Sequence, residues 1–187
     1  MTSHSETTQR GETDRNPAEY PVLGVLAMGP AHGYDICRKL QEGIGSAWWL
    51  GKSQVYALLT RLEKQGLVTR VRIGQETLPA KNIFTLSSQG KAVFRAWIDT
   101  PVTHVRNMRL EFPTKLWFAR QQGVRAEREL IEKQLSVCRE KANGLKSLAS
   151  SCEAQVDRLS ASFRAAMVGA AIVWLEGLLS AIDGRGA

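Results

Sequence analysis

The sequence is poor in the side chains on which most enzymes and metalloproteins depend. Its three histidines, His4, His32 and His104, lie far apart along the chain. Its three cysteines form no CxxC pair and have no histidine at the spacing of metal ligands. A Gly-rich phosphate loop and a nucleophile elbow are also missing. We therefore expect no enzyme, no metal site and no cofactor.

The signals of secretion and of membrane insertion are weak as well. An odd number of cysteines and the lack of an apolar leader predict a protein of the reducing cytoplasm. Residues 1–17 are polar throughout and predict a disordered tail. Residues 165–182 are mostly apolar, but they include Glu176, Ser180 and two glycines, whereas a membrane span needs roughly 20 strongly apolar residues. We expect a buried helix there and no membrane partner.

The composition that remains is that of a basic globular protein. The 187 residues are 43% hydrophobic and 23% charged, enough for one domain or two small ones. The net charge of +7 and the pI near 9.6 suit an anionic partner. Residues 18–100 carry ten Lys and Arg against six Asp and Glu, and residues 101–187 carry thirteen against nine, so each part contributes +4. Charge alone does not locate a binding site.

The most informative stretch is KSQVYALLTRLEKQG, residues 52–66. Four apolar side chains at helical spacing predict a buried stripe, with polar residues on the opposite side: Val55, Leu58, Leu59 and Leu62. Gly66 predicts a left-handed stop. LVTRVRI then predicts a strand, GQETLPA a turn and KNIFTL a second strand. An amphipathic helix followed by a basic hairpin is typical of a winged helix-turn-helix.

Further helices are predicted on both sides of this stretch. Residues 18–28 and 31–43 predict two helices separated by Gly29-Pro30. After the hairpin, Ser87 or Ser88 predicts the N-cap of a helix that Pro101 ends. Residues 18–101 are therefore predicted to form the DNA-binding domain.

The second half, residues 102–187, is predicted to be a helical dimerisation domain. A helix over residues 108–122 is expected to kink at Pro113. From Ile131 to Phe163, apolar or small residues alternate steps of four and three, which is typical of a coiled-coil seam. We expect one continuous helix of about 50 Å, packed on the last helix of the same chain or of a second copy. The predicted dimerisation residues are Ile131, Leu135, Leu145, Val156, Leu159, Trp174 and Leu178.

Several segments together resemble the PadR family of bacterial transcriptional regulators, in its longer branch with a C-terminal helical dimerisation domain. The matching segments are LGVLAMGPAHGYDI (23–36), Trp48, QVYALLTRLEKQGLV (54–68), IFTLSSQGKAVFRAW (83–97), NMRLEFPTKLWFA (107–119) and WLEGLL (174–179). The resemblance implies a homodimer that binds palindromic double-stranded operator DNA and represses transcription. It also implies release by a small-molecule inducer, phenolic or drug-like.

The predicted DNA-binding residues lie on the third helix and on the hairpin. Gln54 can bond an adenine edge, and Arg61 can bond guanine or a phosphate. Lys52 and Ser53, near the N-terminus of the helix, suit phosphate. Tyr56 can donate to a phosphate or close the core. Gly33 and Tyr34 are expected to be structural, as a tight turn and as an aromatic packed between helices. The predicted set is Lys52, Ser53, Gln54, Tyr56, Thr60, Arg61, Lys64, Arg70, Arg72 and Lys81.

Alternatives remain for the effector and for the function. Four aromatic residues are candidates for binding an inducer near the predicted junction of the two domains, although core packing is the more common fate of such residues: Phe112, Trp117, Phe118 and Trp174. A thiol-based redox regulator that uses Cys138 and Cys152 is one alternative. A winged-helix module that binds protein without sequence-specific DNA binding is the other.

Overall fold

The fold is described for residues 15–45, 47–75 and 78–184, in a computed structural model. The predicted disordered tail therefore falls, up to residue 14, outside the described residues. The chain divides into two compact units, Met1–Trp97 and Ile98–Ala187. The first is a winged helix-turn-helix and the second is helical, which confirms the predicted fold class. The assignment of a separate role to each unit stays a prediction.

Three helices form the body of the first unit: α1 (Glu19–Ala27), α2 (Gly33–Ile44) and α3 (Lys52–Lys64). Because α1 is apolar on all sides, it is buried from Glu19 to Leu26. The second helix begins later than predicted, because Ala31 and His32 form the short strand β1 (Ala31–His32). Gly66 follows α3 at φ +70°, as the predicted left-handed stop requires.

A small antiparallel sheet adjoins these helices. Strands β2 (Val68–Gln75) and β3 (Leu78–Leu86) form the predicted hairpin, and β1 pairs with the other side of β3. The strands extend into the stretch predicted as a turn, residues 74–80, of which residues 76 and 77 lie outside the described part. The register places Arg70 opposite Phe84 and Arg72 opposite Asn82.

Helix α4 (Ser88–Asp99) closes the first unit. Ser87 is its N-cap: the hydroxyl oxygen accepts the N–H of Gly90 at 3.0 Å, and the hydroxyl donates to the carbonyl of Gly66 at 2.7 Å. Towards the other end of the helix, the ring of Trp97 stacks on Tyr20 with 4.9 Å between centroids. The start of α4 is thus bonded to the stop of α3, and its end packs on α1.

The second unit contains α5 (Val105–Met108), α6 (Glu111–Gln122), α7 (Val124–Ser151) and α8 (Gln155–Asp183). The expected kink at Pro113 is wrong. Pro113 lies in the first turn of α6, where its missing N–H costs no hydrogen bond, and the chain breaks earlier, between α5 and α6.

The prediction of one continuous helix through the apolar seam is also wrong. Helix α7 ends at Ser151, and the chain reverses so that α8 packs antiparallel on α7. The hydroxyls of Ser150 and Ser151 donate to carbonyls of their own last turn, a competition for backbone acceptors that weakens a helix. The spacing of apolar residues in the sequence does not reveal this break, because apolar or small residues continue at steps of four and three on both sides of it.

The interface within this helical hairpin has heptad spacing on α8. Val168, Leu175 and Ile182 are seven residues apart and buried against the apolar stripe of α7. Ile131, Leu135 and Leu145 belong to that stripe, so their side chains are buried in the core of their own chain.

The expectation that residues 165–182 form a buried helix is wrong as well. Helix α8 is long and apolar enough to cross a membrane by length and composition, yet only 17% of its most apolar window is buried within the chain. One side packs on α7, and a second apolar face is exposed on it. We call this face the α8 stripe, which consists of Val156, Leu159, Phe163, Met167, Val173 and Trp174.

Candidate nucleic-acid interface

Helix α3 separates a buried stripe from an exposed polar face, as the sequence predicts. Val55, Leu58, Leu59 and Leu62 are buried. The polar face is exposed from the first turn to the last: Lys52, Ser53, Gln54, Tyr56, Thr60, Arg61 and Lys64. The helix begins in a capping arrangement in which the Gly51 N–H donates to Oε1 of Gln54 at 2.9 Å. To accept an amino group of a base at Oε1, Gln54 therefore has to share or release this bond.

Tyr34 lies beside the start of α3 and is 59% exposed, so the expectation that it packs between helices is wrong. The Nζ of Lys52 lies 5.3 Å from the centroid of its ring, a cation–π contact. Trp49, in the loop before α3, is 83% exposed. The sequence did not predict that Tyr34 and Trp49 are surface residues. The two adjacent tryptophans at 48 and 49 did indicate that one of these rings was not needed in the core.

Gly33 is structural, as expected, because it makes room for Tyr56. A Cβ atom at Gly33 would lie 2.6 Å from the Tyr56 ring. The ring therefore packs on the first turn of α2, while the side chain stays partly exposed on the polar face of α3. This position is compatible with both predicted roles of Tyr56, packing and donation to a phosphate.

Two of the predicted DNA-binding cations already form ion pairs within the first unit. Arg61 Nε lies 2.9 Å from Oε1 of Glu19, and Arg70 Nε lies 3.2 Å from Oε1 of Glu63. Arg72 is exposed on β2 with no ion-pair partner among the described residues, and the same is true of Lys64 on α3. These two cations require no rearrangement to meet a phosphate.

The hairpin of β2 and β3 forms the wing, and its basic strand β2 lies at the edge of the sheet. Val71 and Ile73 are exposed along with Arg70 and Arg72, so both faces of β2 are open to solvent from residue 70 to residue 73. Nδ1 of His32 bonds to the carbonyl oxygen of Asn82 at 3.0 Å, which ties the return strand to β1. The side chain of Lys81 lies outside the described part of the wing.

Comparison with known proteins agrees with this architecture. Residues 22–96 match the model of the transcriptional regulator PadR-like family. This segment is therefore similar to a PadR-like family domain. The family consists of transcriptional regulators, which confirms the prediction of a regulator rather than an enzyme.

One relative aligns with the chain over nearly its whole length. The chain is 26% identical over 178 residues to the negative transcriptional regulator PadR of Bacillus subtilis (strain 168), a match that covers 88% of this chain and 97% of the relative. A crystal structure of Bacillus subtilis PadR in complex with operator DNA aligns at 25% identity with a TM-score of 0.44, over 90% of this chain and 100% of that one. A structure of the same regulator in complex with p-coumaric acid aligns at 23% identity with a TM-score of 0.41, over 90% of this chain and 99% of that one.

The four aromatic effector candidates occur as two pairs in the second unit. The buried ring of Phe112 meets Trp174 edge to face, with 5.7 Å between centroids, and Trp117 meets Phe118 at 4.7 Å. A separate open cavity of about 550 Å³ lies between α7 and α8 and is lined by none of the four. Its wall combines the Arg139–Glu176 ion pair with the apolar side chains of Leu135 and Leu179.

The predicted dimerisation residues fall into two groups. Ile131, Leu135 and Leu145 are buried within the chain, as described above. Val156, Leu159 and Trp174 belong to the exposed α8 stripe, and Leu178 is partly buried against the core. Within the described residues, no group of three or more His, Cys, Asp or Glu side chains is arranged to hold a metal ion.

Proposed function

We propose that this PadR-like chain is a homodimeric cytoplasmic repressor that binds a palindromic operator and is released from it by an aromatic small molecule. The observation that supports this most directly is the polar face of α3, exposed from Lys52 to Lys64 beside a wing that presents Arg72. A helix with this division of faces can enter a major groove while its apolar side stays in the core.

Each part of this surface has a distinct role in the proposal. Lys52 and Ser53 lie at the N-terminus of α3, where the helix dipole favours a phosphate. Gln54 and Arg61 read base edges, since amide and guanidinium groups match adenine and guanine. Arg70 and Arg72 hold the backbone from the wing. The relative named as a negative transcriptional regulator supports repression as the outcome.

A second copy of the chain is proposed to cover the α8 stripe. From Val156 to Trp174 the stripe extends over about 27 Å of helix at a rise of ~1.5 Å per residue. Monomeric proteins rarely expose a continuous apolar surface of this kind. Dimerisation buries it, and it supplies the two copies of α3 that a palindrome requires at successive major grooves, about 34 Å apart.

The proposed inducer binds at the Phe112–Trp174 pair. Trp174 is partly exposed within one chain and lies at the end of the α8 stripe, so an aromatic ligand that stacks on its indole binds at the edge of the proposed dimer interface. Binding there should change tryptophan fluorescence and weaken DNA binding together. Replacing Cys138 and Cys152 by serine should leave the protein fully inducible, whereas loss of the response would favour the thiol-based alternative.

The test of DNA binding is fluorescence anisotropy with the intergenic DNA upstream of the protein's own coding sequence, against scrambled DNA, over a series of salt concentrations. We expect selective binding that weakens steeply with salt, because each neutralised phosphate releases counterions. Arg72→Ala should reduce the slope of log K against log salt by about 1. Arg106→Ala, an exposed arginine of α5 in the second unit, is the matched control.

Salt-insensitive binding, or binding without preference among genomic fragments in a pull-down, would refute the proposed repressor. It would favour a winged helix that binds a protein partner. A membrane partner for the α8 stripe is tested separately by flotation with anionic vesicles, in which the dimer should stay unbound.

A further inference from the structure

A fully buried carboxylate lies beneath the last turn of α3. The side chain of Glu19, the first residue of α1, is 0% exposed. Its two oxygens face two arginines: Oε2 accepts a hydrogen bond from Nη1 of Arg15 at 3.0 Å, and Oε1 lies 2.9 Å from Nε of Arg61. We call Arg15, Glu19 and Arg61 the Glu19 cluster. A carboxylate without solvent is retained only when cations or donors compensate for its lost hydration.

The Glu19 cluster is hydrogen-bonded to the C-terminal end of α3. Nη1 of Arg15 also donates to Oε1 of Gln65, the C-cap residue of α3, at 2.9 Å. Arg15 and Glu19 both precede residues 22–96, which match the family model. A segment outside the family domain therefore holds an arginine of the DNA-facing helix.

The ion pair between Glu19 and Arg61 restrains the arginine but can be broken by a competing anion. Oε1 of Glu19 has no hydrogen-bond partner among the described residues, so the Nε–H of Arg61 is not aligned with it and the attraction is ionic. The side chain of Arg61 is 52% exposed. Its guanidinium thus lies between a buried carboxylate and the surface where a phosphate would arrive, and the two anions compete for it.

We propose that Glu19 is a specificity-determining residue that acts by holding Arg61. The restraint removes one free positive charge from the exposed face of α3, so that DNA without the operator sequence gains less from phosphate contacts. This inference rests on the proposed DNA-binding function of α3. It assigns to the segment before the family domain the task of limiting non-specific binding.

The experiment measures anisotropy of the full chain on a random-sequence duplex as salt rises from 50 to 200 mM. Glu19→Gln keeps the shape of the side chain and removes its charge. We expect the slope of log K against log salt to become steeper by about 0.9, which makes the affinity loss over this range about 3.5 times larger than in the wild type. Glu42→Gln, on the exposed side of α2, makes the same change in net charge without touching the cluster, and should leave the slope unchanged.

A double variant tests whether the effect of Glu19→Gln on the salt dependence acts through Arg61. In an Arg61→Gln background, adding Glu19→Gln should no longer change the slope, because the arginine that it releases is absent. A loss of packing alone would not depend on Arg61 in this way. If Glu19→Gln does not fold, Glu19→Asp, which keeps the charge but withdraws it by one methylene, should also steepen the slope.

Equal slopes for the wild type and for a folded Glu19 variant would overturn the inference while leaving the proposed repressor intact. An effect that persists without Arg61, or that Glu42→Gln reproduces in full, would overturn it as well. Absence of any salt-dependent binding by the wild type would refute both proposals together.

Discussion

Replacing Phe163 by serine is expected to weaken the proposed dimer without unfolding the monomer. The Phe163 side chain is 68% exposed at the centre of the α8 stripe, so within one chain it has little burial to lose. In the proposed dimer, the second copy covers this side chain. The substitution therefore separates association from folding, which few core positions of this chain could do.

The size of the effect follows from the surface that changes environment. Full burial of a phenylalanine side chain is worth about 1.5–3 kcal/mol, and roughly two-thirds of this ring is available for burial by the partner. A symmetric dimer contains the substitution twice, so the expected loss is about 2–4 kcal/mol. The dissociation constant should then rise about 30- to 700-fold, at about 1.4 kcal/mol for each factor of ten.

Sedimentation velocity over a concentration series measures this constant directly. Val124→Ser is the control, because Val124 is an exposed apolar residue of α7 outside the stripe and should leave association unchanged. Thermal denaturation at a concentration where both proteins are monomeric should give similar midpoints. An unchanged dimer in Phe163→Ser, or a wild type that stays monomeric, would refute the reasoning.

Three further predictions concern stability. Gly33→Ala should destabilise the chain by about 1–3 kcal/mol in urea denaturation, because its Cβ would lie 2.6 Å from the Tyr56 ring; Tyr56→Leu should recover part of the loss, and an unchanged midpoint would contradict the packing described. Gln134→Leu should cost about 2–4 kcal/mol, because the buried amide of Gln134 accepts from the N–H of Val102 at 2.7 Å and donates to its carbonyl at 2.9 Å, whereas the exposed control Gln121→Leu should change stability little. Burial raises the pKa of the Cys37 thiol above its ordinary 9.0, although Lys52 opposes the shift. The neutral thiol therefore stabilises the fold at lower pH, and this contribution is lost as the pH rises beyond 9.0. Cys37→Ala should show a smaller loss of unfolding free energy at alkaline pH than the wild type.

The first unit could be predicted well because its signals are local. The stripe of α3, the stop at Gly66 and the cap at Ser87 each depend on residues within a few positions of one another. Hydrophobic periodicity could not predict strand β1, since its two residues are too few to show an alternating pattern. It also could not show that Arg61 meets Glu19, because that contact joins residues 42 positions apart.

The second unit was harder to predict because its decisive features are not periodic. Apolar steps continue past Ser151, so spacing alone favours one long helix, while the break depends on serine hydroxyls and on packing against the returning chain. The same ambiguity affected α8, whose apolar residues form two faces. A sequence shows that both faces are apolar, but it does not show which one its own chain covers.

The connection between α7 and α8 has a consequence for how fast the protein folds. The two helices are joined by only three residues, 152–154, and β2 and β3 are likewise consecutive along the chain. In each unit the most extensive pairing is therefore between neighbours in sequence, which keeps the average sequence separation of contacting residues low. Chains with low contact order pay little loop-closure entropy before their contacts form. We expect each unit to refold within milliseconds, so that the association of two folded chains is the slow step in forming the proposed dimer.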